Sequence, residues 1–244
     1  MSKNLTAILK ILLYTAIFST TLPLVFFLFF KLNKKQRALR VILLYVLYCI
    51  FNEGMSFYLQ KIKSEDFSIL LYSFTIIEFS FFCYFIYLIL PKNFVKKIVP
   101  YLWAIFVLIA LIDIFYLNKT HDFDSFASGI ESIIIITLCI YYLFSQIKGS
   151  NSSLIYSTFN FWVVIAFLIY FAGTFFLYLF ADNMISNPSF HKIYFIINIT
   201  FNILKNILLS VAMTMKLNEE LYLQKSAIPE LDEDIFCHAK KQLP

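Results

Sequence analysis

The chain has 244 residues, of which 61% are hydrophobic and 14% charged, with 30 Phe and 16 Tyr and a net charge of +5. Its mean hydropathy is +0.79. A soluble domain needs about a quarter of its residues charged to dress its surface. An ordinary soluble protein, a disordered chain and a disulfide-stapled secreted module are therefore all excluded, and an all-α integral membrane protein remains.

Seven apolar segments follow in order: Leu5–Phe30, Val41–Leu59, Phe67–Leu90, Val99–Leu117, Phe126–Phe144, Leu154–Phe180 and Phe190–Met215. At roughly 20 residues per spanning helix, seven spans use about 140 residues and leave about 100 for loops and tails. None of the segments alternates with period two, so a membrane barrel is not expected. The first segment is not a cleavable leader. Its run Ile11 to Phe30 is of full spanning length, and Lys31, Lys34, Lys35, Arg37 and Arg40 follow it instead of a small-residue cleavage site. Pro23 predicts a kink in the first span. Pro91 and Pro100 predict a turn they bracket between the third and fourth spans. Short connections predict adjacent antiparallel helices, and no internal repeat is present, which weakens an inverted-repeat transporter reading.

Basic residues orient the bundle. With the N-terminus outside, 13 Lys and Arg fall in inside segments and 6 in outside ones, leaving Lys205 within the last span. That split predicts an N-outside, C-inside seven-helix bundle. Residues 1–216 form the transmembrane domain, and residues 217–244 a short acidic cytoplasmic tail. The basic residues lie between spans rather than on one soluble face, so nucleic acid is not an expected partner. Cys49, Cys83 and Cys139 lie inside apolar runs and Cys237 in the tail, with no metal or disulfide spacing. His121, Asp122 and Asp124 share one outer loop and read as solvated, so no metal site is expected.

Ionisable groups inside a span are costly and usually face the bundle interior. Five occur: Glu53, Glu78, Asp113, Glu131 and Lys205. Asp113 and Glu131 lie within about two turns of the outer boundary, where interfacial solvation could explain them, the first more readily than the second. Glu53 lies in the outer half of its span. Glu78 and Lys205 lie deeper, roughly 17 and 22 Å from the outer ends at 1.5 Å per residue. Pairing between them is the economical expectation, because an unpaired charge there costs several kcal/mol.

Three helical faces carry polar residues. Asn198, Asn202, Lys205 and Asn206 fall on one face of the last span, Tyr170, Gly173, Thr174 and Tyr178 on one face of the sixth, and Tyr45, Cys49, Asn52 and Ser56 on one face of the second. Such stripes either hold helices together or line a buried polar cavity. The candidate ligand or switch residues are Glu78, Lys205, Glu131, Glu53, Asn198, Asn202, Asn206 and Tyr170, with no catalytic residue among them.

Tyr72-Ser-Phe-Thr-Ile-Ile-Glu78, Glu131-Ser132, Phe161-Trp162 with Tyr170-Phe-Ala-Gly173, and Asn202-Ile-Leu-Lys205-Asn206 together resemble the seven-helix membrane modules of Bacteroidetes-type bacteria, which stand alone or precede histidine-kinase domains. The resemblance implies a sensor or signalling partner in the bacterial inner membrane. No kinase domain follows residue 244, so phosphotransfer by this chain is not expected. A weaker resemblance is to microbial rhodopsins, where a lysine midway in the last helix carries retinal; here that lysine would be Lys205. Phe201 stands where that family expects an acid, and its Arg-Tyr-x-Asp-Trp type of motif is absent.

The resulting expectation is a non-enzymatic, multi-pass, receptor-like protein. It would pass a signal from a polar cavity to a cytoplasmic partner through Lys216–Pro244, with homo-oligomers open. A transport or pore-forming effector subunit is the chief alternative. A membrane-embedded lipid enzyme using outer-face His121 and His191 is third.

Overall fold

The computed structural model describes residues 3–30, 36–62, 67–114, 125–148, 156–184 and 188–215. Seven helices fill them: α1 Lys3–Phe30, α2 Arg37–Ile62, α3 Phe67–Ile89, α4 Phe94–Ile112, α5 Ser125–Ile147, α6 Phe159–Met184 and α7 Pro188–Ala212. Each contains a stretch long and apolar enough to cross a membrane. The chain is a multi-pass membrane protein built as a seven-helix all-α bundle. The predicted tail, the His121 loop and His238 lie outside the described residues, as does the side chain of His191.

Polarity is inverted relative to a soluble protein. Phe29 is 79% exposed while Lys205 is 2% exposed. Lipid solvates the outer Phe, Leu and Ile side chains, so helices can present apolar faces outward and still close polar ones inward.

Consecutive helices pack in order, and α7 closes the ring against α1. Contacts across neighbours run in opposite senses. Tyr48 stacks on Phe74 and Tyr45 meets Phe81 between α2 and α3, which marks them as antiparallel. Gly173 faces Phe201 while Tyr178 meets Tyr194, which does the same for α6 and α7. An odd number of alternating helices puts the start of α1 and the end of α7 at opposite ends, hereafter the N-terminal and C-terminal faces. Helices α3 and α5 touch directly behind α4, so α4 is peripheral and buries mainly Val99, Phe106 and Ala110.

The helix α4 starts earlier than the prolines predicted. Asn93 caps it, its side chain accepting the Lys96 amide at 3.1 Å, and Pro100 lies inside the helix. Pro100 lacks the amide that would bond the carbonyl four residues back and crowds that carbonyl, yet the cap fixes the start of the helix. The Lys96 ammonium also donates to the Leu90 carbonyl at 3.0 Å, satisfying the end of α3. Pro23 likewise lies within a continuous α1.

Close packing of α6 on α7 depends on Gly173. A Cβ at that position would overlap the Phe201 ring. Gly173→Val should cost about 1–3 kcal/mol by overpacking, read as a lower unfolding midpoint in detergent, and Phe201→Ala should recover part of it. An unchanged midpoint would show that the Phe201 ring simply swings aside.

Candidate functional site

Three helices meet at mid-depth around one ammonium. Lys205 on α7 lies 3.3 Å from Glu78 Oε1 on α3. Between them stands Tyr45 of α2. Its hydroxyl donates to Glu78 Oε1 at 2.5 Å and accepts from Lys205 Nζ at 2.8 Å. The tyrosine bridge is tighter than the direct ion pair. Lys205 also sits 4.0 Å over the Tyr170 ring of α6, a cation–π contact that partly replaces lost water. Glu78 is 3% exposed and Tyr45 1%, so the carboxylate, ammonium and phenol satisfy one another away from solvent. The expected pairing is therefore present, and Tyr45 carries half of it.

Neighbouring residues on α7 face different partners. The Asn206 amide donates to Ser19 Oγ at 3.0 Å and Thr20 Oγ1 at 3.2 Å on α1. Thr20 in turn donates to Glu53 Oε1 on α2 at 2.6 Å. One turn of α7 thus holds two polar couplings, one to α2 and α3 and the other to α1 and onward to α2. Moving α7 requires breaking both. Asn206→Leu should cost about 1 kcal/mol, the usual size of an interhelical hydrogen bond in a membrane. A double-mutant cycle with Thr20→Val should return a coupling of similar size, and zero coupling would mean that the contact carries no stability.

Above the ion pair lies a polar cavity of about 190 Å³. Lys205, Glu78 and Tyr170 line its floor, and Glu53, Glu131, Asn198, Asn202, Tyr178 and Tyr194 are among its walls. On every helix that contributes, the lining residues run from mid-span toward the N-terminal face. The other half of the bundle is packed differently. Leu39, Ile42, Phe82, Phe85, Ile86, Phe159, Val163, Phe167 and Leu209 are all at most 1% exposed. The rings of Phe82 and Phe167 lie 5.0 Å apart, and Phe167 lies 5.3 Å from Tyr45. An apolar plug thus begins directly beneath the ion pair.

Comparison with protein-family models, with curated proteins and with solved structures returns no match. The site must be read from its own geometry.

Of the eight candidate residues, seven line the cavity: Glu53, Glu78, Glu131, Tyr170, Asn198, Asn202 and Lys205. Asn206 does not. It is rotated about 100° from Lys205, as successive helical residues are, and faces α1. The expectation of interfacial solvation for Asp113 is corrected; for Glu131 it stands beside the cavity reading, and it accounts for neither. Both are 2% exposed, because α4 and α5 turn them toward protein. Tyr45 belonged to the polar stripe of α2 without standing out as a site residue, and Ser19 and Thr20 were not singled out at all. Their only signal was the hydroxyl run Ser19-Thr20-Thr21 in an otherwise apolar helix. Among the described residues, no three His, Cys, Asp or Glu side chains are grouped closely enough to hold a metal ion.

Proposed function

We propose that this chain is a receptor-like or sensor-like protein of the bacterial inner membrane, N-terminus outside and C-terminus inside. In this reading a signal enters the cavity from the N-terminal face and disturbs the Lys205–Tyr45–Glu78 cluster. The response leaves through α7 toward Lys216–Pro244 and a cytoplasmic partner. One observation carries the reading: a mid-membrane cluster joins the last helix to two others, beneath a polar cavity and above a dry plug.

The physics supports a two-state element. A buried ion pair gains little over the same two charges in water, since desolvation nearly offsets attraction, while either charge left buried alone is costly. An event that neutralises or competes with either partner removes the reason for α7 to hold its position, and the Asn206 coupling sets a threshold. A ligand shifts such an equilibrium only by its differential affinity for the two arrangements, and contact with Glu78 or Lys205 provides that difference. The tight plug argues against a standing pore. A small polar cavity also suits a compact polar solute better than a long polyene such as retinal on Lys205, whose ammonium here is committed to Tyr45 and Glu78.

The test uses spin labels at Arg40 and Thr214, on α2 and just beyond α7 at the C-terminal face, in reconstituted protein. The double replacement Glu78→Gln with Lys205→Met should shift or broaden the label distance relative to the native pair. An identical distribution, together with ion flux through liposomes carrying the native protein, would replace the receptor reading with a transport one.

A further inference from the structure

We propose that the cavity binds a compact primary ammonium compound, a small monoamine rather than an anion or a metal ion. This rests on the receptor reading of the same site and names its ligand class.

Charge gives the first argument. The cavity is lined by three carboxyl groups, Glu53, Glu78 and Glu131, and by one ammonium, Lys205. That ammonium is already engaged by Glu78, Tyr45 and the Tyr170 ring. Carboxyl oxygens accept hydrogen bonds from an ammonium and, once ionised, repel an anion. The walls give the second argument. Phe74, Phe171, Tyr178 and Tyr194 also line the space, and aromatic faces attract organic ammonium groups through their quadrupoles. The bundle already demonstrates this chemistry, because the Lys205 ammonium rests 4.0 Å from the Tyr170 centroid. A metal ion would need its ligands grouped at bonding distance, and among the described residues no three His, Cys, Asp or Glu side chains are so grouped.

A third observation distinguishes an N–H donor from a quaternary ammonium. Asn52 lines the cavity, and its side-chain oxygen is buried without a hydrogen-bond partner. An unsatisfied acceptor is costly and calls for a donor. A primary ammonium has three donors; a quaternary one has none. Size sets the last limit. The volume of about 190 Å³ has room for several water molecules, so a monoamine of a few carbons fits.

Such a ligand also gives the switch its cause. An incoming ammonium competes with Lys205 for Glu78, which is the differential contact that a shift of α7 requires.

The experiment is calorimetric titration of n-butylammonium chloride into the purified full chain in detergent at constant ionic strength. Saturable binding of one equivalent is expected, with tetramethylammonium at least tenfold weaker and sodium butyrate silent. Asn52→Leu should weaken binding about tenfold or more while keeping the unfolding midpoint of the parent, and Glu131→Gln should weaken it by a similar factor. Absence of saturable binding overturns the proposal, as does equal competition by sodium, which would make this an inorganic cation site. Equal binding of tetramethylammonium also overturns it, by removing the donor argument. The Arg40–Thr214 distance separates the two readings. Binding without movement would leave the amine site and remove the receptor, while movement in the Glu78–Lys205 double variant without amine binding would do the reverse.

Discussion

Replacing either member of the Glu78–Lys205 pair alone will destabilise the bundle by about 3–5 kcal/mol, the usual result of leaving one buried charge without its partner. In Glu78→Gln the Lys205 ammonium keeps Tyr45, the Tyr170 face and a neutral amide oxygen, but no counter-charge. In Lys205→Met the carboxylate keeps only the Tyr45 hydroxyl. Both are 3% exposed or less, so water does not replace what is lost. The double variant should recover much of the loss, because two neutral side chains of similar volume leave no charge to compensate. Tyr45→Phe should fall between them, since it removes the 2.5 and 2.8 Å bonds but leaves the direct pair. Unfolding midpoints in detergent for the four proteins measure this. Single variants with the stability of the parent would show that the pair contributes nothing to the bundle.

The second large effect is expected at Phe167. Its ring packs against Tyr45 and Phe82, with Phe171 stacked at 6.3 Å, and it is 1% exposed. Phe167→Ala removes a ring from a site where three helices meet, and such truncations cost about 3–5 kcal/mol. Its position immediately under the ion pair adds a functional consequence. The void would extend the polar cavity into the plug, so liposomes carrying Phe167→Ala should leak small cations while the parent does not. Phe176→Ala, on the exposed face of the same helix, should change neither stability nor leak. Equal tightness of both variants would mean that the barrier lies elsewhere.

Much of this is legible in the amino-acid sequence itself. Hydropathy marked all seven spans, because a backbone in lipid can satisfy itself only as a helix or a closed barrel. Depth along the helix picked out Glu78 and Lys205, and depth is linear in residue number. Rotation about the helix axis is different. It is set by packing against neighbours that the sequence does not name. So the stripe on α7 was seen, but not that Asn206 turns to α1 while Asn198, Asn202 and Lys205 face the cavity. The same limit hid the role of Tyr45 and the burial of Asp113 and Glu131. Pro100 misled for a local reason: Asn93, seven residues earlier, had already begun the helix.

The polar cavity lies in the half of the bundle toward the N-terminal face, floored by Lys205, Glu78 and Tyr170 and closed below by the apolar plug. The most direct measurement is labelling of single introduced cysteines by a charged, membrane-impermeant thiol reagent in oriented vesicles, mapped by peptide mass. Asn198→Cys should be modified only from the N-terminal face, and Leu209→Cys, beneath the ion pair, from neither. Modification of Asn198→Cys from the C-terminal face, or of Leu209→Cys from either face, would contradict the account.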